Sequence, residues 1–255
     1  MASSPTDFPV HRFAARDGVM LAWRELGEGR PLVLIHGLFS NAWTNWIRYG
    51  HAARIAAAGF RVIMPDLRAH GESGAPHAVD RYPPDILAED GLALIDHLGL
   101  GDFDLGGYSL GARTVVRMLV AGAVPRRVAL GGMGLEGMLD LGSRLGFFRG
   151  VLADPEGQVR STPGFAAAAF LKTTGGDPQA LLPLLGSFVP TTRAALATLA
   201  LPALVYCGAE DRDNGSAEAL AETLPRGRYV EIPGNHMSAV VRPELGAAIT
   251  DFLTG

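Results

Sequence analysis

One hydroxyl, that of Ser109, stands in the stretch Gly107-Tyr108-Ser109-Leu110-Gly111. An apolar run, "FDLGGY", ends just before it, and a helix-competent segment begins at once. A sharp strand-to-helix turn strains the residue at its corner, and bulky neighbours would collide there. Gly107 and Gly111 remove the collision, and Gly106 adds room. Such a turn projects the hydroxyl at a helix N-terminus, where unpaired N–H groups and the helix dipole favour developing negative charge. The spacing reads as a nucleophile, with an ordinary helix-capping serine as the plainer alternative.

A serine attacks only once a base takes its proton, and a histidine of near-neutral pKa suits that task. His236, in "GNHMS", follows the apolar run "RYVEIPG" and so sits at a strand's carboxyl end. His51 and His97 fall on expected helices, as surface or helix-face residues, and His11 falls in an early strand. His70 and His77 flank the loop "HGESGAPH", where neither a third ligand nor a metal-like spacing accompanies them. The imidazole in turn needs an anion to fix its tautomer, and "YCGAEDRDN" offers Glu210, Asp211 and Asp213 after another apolar run.

Placing these groups requires strands that end together. "DGVMLAWREL", "RPLVLIHG", "RVIMPD", "FDLGGY", "RRVALGG", "ALVYCG" and "RYVEIPG" read as strands. Helical spacing appears in "NAWTNWIRYGHAARIAAAGF", "PDILAEDGLALIDHLGL", Ser109 to about Val120, "SAEALAETL" and "ELGAAITDFL". Strands alternating with helices predict an α/β fold whose mostly parallel central sheet is covered on both faces. In such a sheet, ligands sit beyond the strands' carboxyl ends. From about Gly134 to Pro190 the rhythm breaks into helix-like pieces rich in Leu, Phe and Ala, with no strand between them. The expected organisation is a core of residues 1–133 and 191–255 carrying a helical lid at 134–190; extra helices packed on the core are the alternative. No internal repeat is visible.

The 255 residues suit one large hydrophobic core. Net charge is −4 and no dense Lys/Arg stripe occurs, which argues against a nucleic-acid partner. The opening "MASSPTDFPVHRF" lacks the charged and apolar regions of a secretion signal, and no apolar stretch approaches the roughly 18–20 residues of a membrane span. The expectation is a cytoplasmic protein without membrane insertion. The single cysteine, Cys207, lies inside an apolar run and reads as a buried small hydrophobe.

Several motifs in one order resemble the α/β-hydrolase superfamily over essentially the whole length outside the lid. "LIHGLFSNAWTNW" is similar to the family's His-Gly loop, through His36 and Gly37, and "GYSLG" to its nucleophile elbow. "MPDLRAHGESG" resembles its D-x-R-G-x-G-x-S segment, with Ala69 in place of the usual glycine. "GAED" matches the acid turn and "GNHMS" the histidine loop. The resemblance implies a catalytic triad of Ser109, Asp211 and His236, in the chain order Ser–acid–His of that fold. Glu210 and Asp213 are reserve acids, and Glu136 is the candidate for members whose acid follows the sixth strand. It further implies an oxyanion hole made by the backbone N–H groups of Leu38 and Leu110.

The expected reaction is cleavage of carboxylic esters with small to medium, largely apolar acyl groups, through an acyl-enzyme and without a metal or organic cofactor. Phe39, Tyr108, Met133, Met138, Leu141, Phe147, Phe148 and Met237 are the candidate pocket residues, and Arg144 or Arg149 could bind a carboxylate or face solvent. Lactonase, thioesterase, carbon–carbon hydrolase and perhydrolase chemistry would use the same triad, and a slow-turnover ligand sensor would keep it. The serine argues against the dehalogenase and epoxide hydrolase branches, which by resemblance use aspartate there. "GMGLEG", Gly132 to Gly137, fits a dinucleotide-binding G-x-G-x-x-G but has no second strand after it. Trp43 and Trp46 line a pocket or pack a helix on the sheet.

Overall fold

The computed structural model describes residues 8–255, the side chain of Ser143 excepted. The reading of the chain start as free of a secretion signal therefore rests largely on residues outside that range. Eight strands form one sheet in the order β1-β2-β4-β3-β5-β6-β7-β8. They are β1 (His11–Ala14), β2 (Met20–Leu26), β3 (Arg30–Ile35), β4 (Phe60–Asp66), β5 (Asp104–Tyr108), β6 (Val128–Gly131), β7 (Ala203–Gly208) and β8 (Gly227–Ile232). β1 and β2 pair antiparallel, β2 runs antiparallel to β4, and every other pairing is parallel. The mostly parallel sheet expected from the strand–helix alternation is the one observed.

Parallel strands buried on both faces are apolar throughout rather than alternating. On β3, Val33 and Ile35 join the core beneath α2 (Ile86–His97), α3 (Leu110–Val120) and α9 (Ala217–Thr223). Leu32 and Leu34 point the other way, into a core shared with α1 (His51–Ala57) and α10 (Pro243–Thr254). The helical spacing from Asn41 to Phe60 resolves into a short π-helical turn, Trp43–Ile47, and α1. Gly50, at φ 80°, separates the two. Trp46 is fully buried in the α1/α10 core, so it packs on the sheet.

Between β6 and β7 the chain forms α4 (Leu135–Leu139), α5 (Gly142–Ala153), α6 (Pro163–Thr173), α7 (Pro178–Leu184) and α8 (Arg193–Ala197). Thr162, Asp177 and Thr192 cap three of these helices by accepting backbone N–H bonds, two of them followed by proline in the first turn. α4 is tied to the core, since the N–H groups of Leu135 and Gly137 donate to Ser216 O and Asn214 O. No helix among the described residues is long and apolar enough to cross a membrane.

Candidate active site

β5 ends at Tyr108 and α3 starts at Leu110, leaving Ser109 alone at the corner with φ 55° and ψ −114°. That strained conformation persists because the surroundings over-determine it. A methyl on Gly107 would strike the Gly111 backbone, and one on Gly111 would strike the carbonyl of Ile35 on β3. The two glycines thus let α3, β5 and β3 meet closely enough to form the corner.

Three chain-distant loops converge on the hydroxyl. His236 follows β8, and its Nε2 lies 3.0 Å from Ser109 Oγ. Its Nδ1 lies 2.8 Å from Oδ2 of Asp211, which follows β7. Nδ1–H therefore donates to the carboxylate, and Nε2 is left to accept the serine proton. Asp211 is buried, which alone would raise its pKa. The hydrogen bond and charge of His236, with bonds from the Asp213 N–H and the Cys207 thiol, outweigh this and hold the carboxyl below its ordinary value. Of the other acids, Glu136 accepts from the Ser216 N–H, and Asp213 pairs with Arg144 at 3.3 Å. Glu210 is exposed. Asp211, Asp213 and His236 place ligand-type atoms within 4.8 Å of one another, but two of the three are committed to each other in the relay.

The N–H of Leu110, first in its helix, and the N–H of Leu38 have no acceptor among the described residues. The loop that carries Leu38 is braced from every side. Asn45 Oδ1 accepts the Gly37 N–H at 3.1 Å, and Thr174 Oγ1, from the end of α6, donates to Phe39 O at 2.6 Å. His70 Nε2 accepts the Phe39 N–H at 3.2 Å while its Nδ1 faces Arg68 O. His36 Nε2 accepts the Leu67 N–H, and its Nδ1 faces Gly37 O. Both imidazoles are buried and neutral: burial brings His36 down to about 4 and, with His36 alongside, His70 to about 3. Ala69, standing where the related segment has glycine, takes a left-handed φ of 66°.

The expected pocket residues divide. Phe148 of α5 packs edge-on against Phe39 at 5.4 Å and against Phe147, and Arg144 stacks over Phe148 while reaching Asp213. Leu141 is half-buried beside α5. α5 is thus joined to both the loop that carries Leu38 and Phe39 and the loop that carries Asp211 and Asp213. Met133 and Met138 are buried in the core. Tyr108, on the α1/α10 side of the sheet, is buried beneath His236 and donates its hydroxyl to His236 O at 2.7 Å. Met237 is 51% exposed. Arg149 is exposed too. His51 is not a surface residue: it is buried, with Nε2 2.6 Å from Val240 O. In the "GMGLEG" stretch, methyls on Gly132 and Gly134 would strike the Tyr108 ring and Gly215, so that space is filled by protein. Cys207 is buried as expected, yet its Sγ lies 3.4 Å from Asp211 Oδ2, a contact no local pattern signals. The braces Asn45, Thr174 and His70 were also beyond sequence reading, although "MPDLRAHGESG" marks the His70 segment.

A strand-ending serine, a histidine and a buried acid on three loops of a mostly parallel sheet define a class of fold. The family model described as "alpha/beta hydrolase fold" matches residues 30–132. The chain has the α/β-hydrolase fold. A thermophilic esterase from Thermogutta terrifontis superposes with a TM-score of 0.77 at 25% identity, covering 96% of this chain and 98% of that one. The enol-lactonase from Burkholderia xenovorans has a TM-score of 0.80 at 24% identity, over 96% and 100% of the two chains, a likeness of fold. A dihydrolipoyllysine-residue acetyltransferase component of an acetoin cleaving system from Pseudomonas putida is 44% identical over 123 residues, which are 48% of this chain and 31% of that protein. A non-heme haloperoxidase from Rhodococcus erythropolis is 34% identical over 125 residues, 46% and 42% of the two. The chain spans less than half the length of these two curated relatives.

Proposed function

We propose that this chain of α/β-hydrolase fold is a serine esterase acting on carboxylic esters of small to medium, largely apolar acyl groups. The observation that carries the reading is the relay Asp211–His236–Ser109, with distances of 2.8 and 3.0 Å, beside the backbone N–H groups of Leu38 and Leu110, which have no acceptor among the described residues. As Ser109 Oγ attacks the ester carbonyl, its proton moves to His236 Nε2. Asp211 stabilises the imidazolium, and the N–H groups of Leu38 and Leu110 take the oxyanion. The tetrahedral adduct then expels the alcohol, which takes the proton from Nε2, and leaves an acyl-serine. Water, deprotonated by the same nitrogen, attacks the acyl carbonyl, and the acid departs as Ser109 regains its proton. α5, with Phe147 and Phe148 over the oxyanion loop, acts as the apolar lid.

The similarity to a haloperoxidase favours a second use of the acyl-enzyme, attack by hydrogen peroxide in place of water to give a peracid. Peroxide that diverts product from acid to peracid without changing total acyl turnover would support it.

Hydrolysis of p-nitrophenyl esters of increasing acyl length tests the main reading. In the Ser109→Ala variant, kcat is expected to fall by about 10⁴–10⁶, because the nucleophile and its base act as a unit. Equal rates in folded wild type and variant would rule the serine mechanism out.

A further inference from the structure

Arg113 lies on α3, one turn beyond Ser109, and is only 8% exposed. Its guanidinium makes no hydrogen bond and no ion pair among the described residues, and its Nη1 is buried without a partner. Two other arginines are served differently. Arg117 forks onto both oxygens of Asp85, and Arg68 onto Asp17 and Asp90. The acid whose field reaches Arg113, Asp140, is exposed and accepts the Gly142 N–H. Burial, with Arg117 alongside, brings the Arg113 guanidinium down to about 10, still protonated at neutral pH.

A cavity of about 20 Å³ adjoins this side chain, lined among others by Leu110, Arg113, Thr114, Phe188 and Val189. That is room for one water-sized group. Asp85 also borders it, but both its oxygens are taken by Arg117. The Thr114 hydroxyl donates to Leu110 O, so the guanidinium is the free donor. A water would satisfy a hydrogen bond but leave the buried charge uncompensated, whereas a small anion answers both needs.

We propose that this cavity is a binding site for one small monovalent anion held by Arg113 behind the nucleophile. One atom of the anion enters the cavity: a free halide, or one oxygen of formate or of the terminal carboxylate of a substrate's acyl group. Leu110 borders the cavity and directly follows Ser109 in the chain. The carboxylate form rests on the esterase reading; the free-ion form does not.

Thermal unfolding in formate or chloride, with ionic strength held by a bulky anion, tests the site in wild type and Arg113→Met. At about ten times the dissociation constant the wild-type Tm is expected to rise by roughly 3–5 °C. The variant is expected to show no anion-dependent rise, whatever its own baseline. A flat wild-type response up to about 0.1 M anion, or an equal rise in both proteins, overturns the proposal. Kinetics then separate the two sources. Formate competing with p-nitrophenyl butyrate, together with a loss in Arg113→Met confined to monoesters of dicarboxylic acids, assigns the site to substrate. Stabilisation without competition assigns it to a free ion. A protein inactive on every ester but stabilised by anion through Arg113 would sink the esterase reading and leave the anion site standing.

Discussion

His36 and His70 work as hydrogen-bond fixtures: each offers one ring nitrogen to a backbone N–H, and only the neutral imidazole can do so. Their folded pKa values, about 4 and about 3, lie below the ordinary 6.5. Protons therefore bind the unfolded chain first as pH drops. The stability tied to these groups is fully present above pH 6.5 and is lost as pH falls towards the folded values. Each contributes a slope of about 1.4 kcal/mol per pH unit within that window. Urea midpoints taken at pH 7, 6 and 5 are expected to decline steadily, and less steeply in His70→Gln. A flat profile would mean that these rings are not neutral in the native protein. In the folded protein both rings stay neutral until pH nears about 4, so they hold the loop that carries the Leu38 N–H in place throughout that window.

At the scale of elements, the corner between β5 and α3 depends on how closely α3 approaches β3. Gly111→Ala would press a methyl into the Ile35 carbonyl, backbone against backbone, with no flexible side chain to yield. A stability loss at the upper end of about 1–3 kcal/mol is expected, read from the denaturant midpoint. The shift also separates Leu110 from Leu38, so kcat on esters should fall further than a simple loss of stability would bring. Unchanged stability in this variant would refute the close-approach account. The helices between β6 and β7 follow the same logic of contact between elements, since Thr174 from α6 and Phe148 from α5 both rest on Phe39.

Across the whole molecule, Arg68 gathers distant parts of the chain. Its guanidinium, fully buried, meets Asp90 on α2, Asp17 before β2 and the carbonyl of Arg81. Removing the cation leaves the buried Asp90 carboxylate without its partner. Arg68→Leu is expected to cost about 3–5 kcal/mol in urea unfolding. Pairing it with Asp90→Leu is expected to recover part of the loss, because the apolar replacement leaves no fully buried charge unpaired, while Asp17, 30% exposed, stays solvated and 3.9 Å from Arg81. Failure of the double variant to recover anything would place the cost in packing instead.

The sequence by itself determined the alternation of strands and helices, the parallel sheet, and the loops that carry Ser109, Asp211 and His236. Those features are encoded locally, in apolar runs, in glycines at sharp corners and in polar residues directly after strands. Tertiary structure alone decided the rest, because it depends on which side chains meet across long separations. Phe39 and Thr174 bond across 135 positions, and Tyr108 reaches His236 O across 128. No local pattern could turn Tyr108 to the α1/α10 face, bury His51 against Val240, or set the Cys207 thiol on Asp211. Likewise the glycines of "GMGLEG" are spaced as a phosphate loop would be, but the Tyr108 ring and Gly215 fill that space. Spacing along a chain specifies conformation, whereas occupancy of space is settled only when the chain has packed against itself.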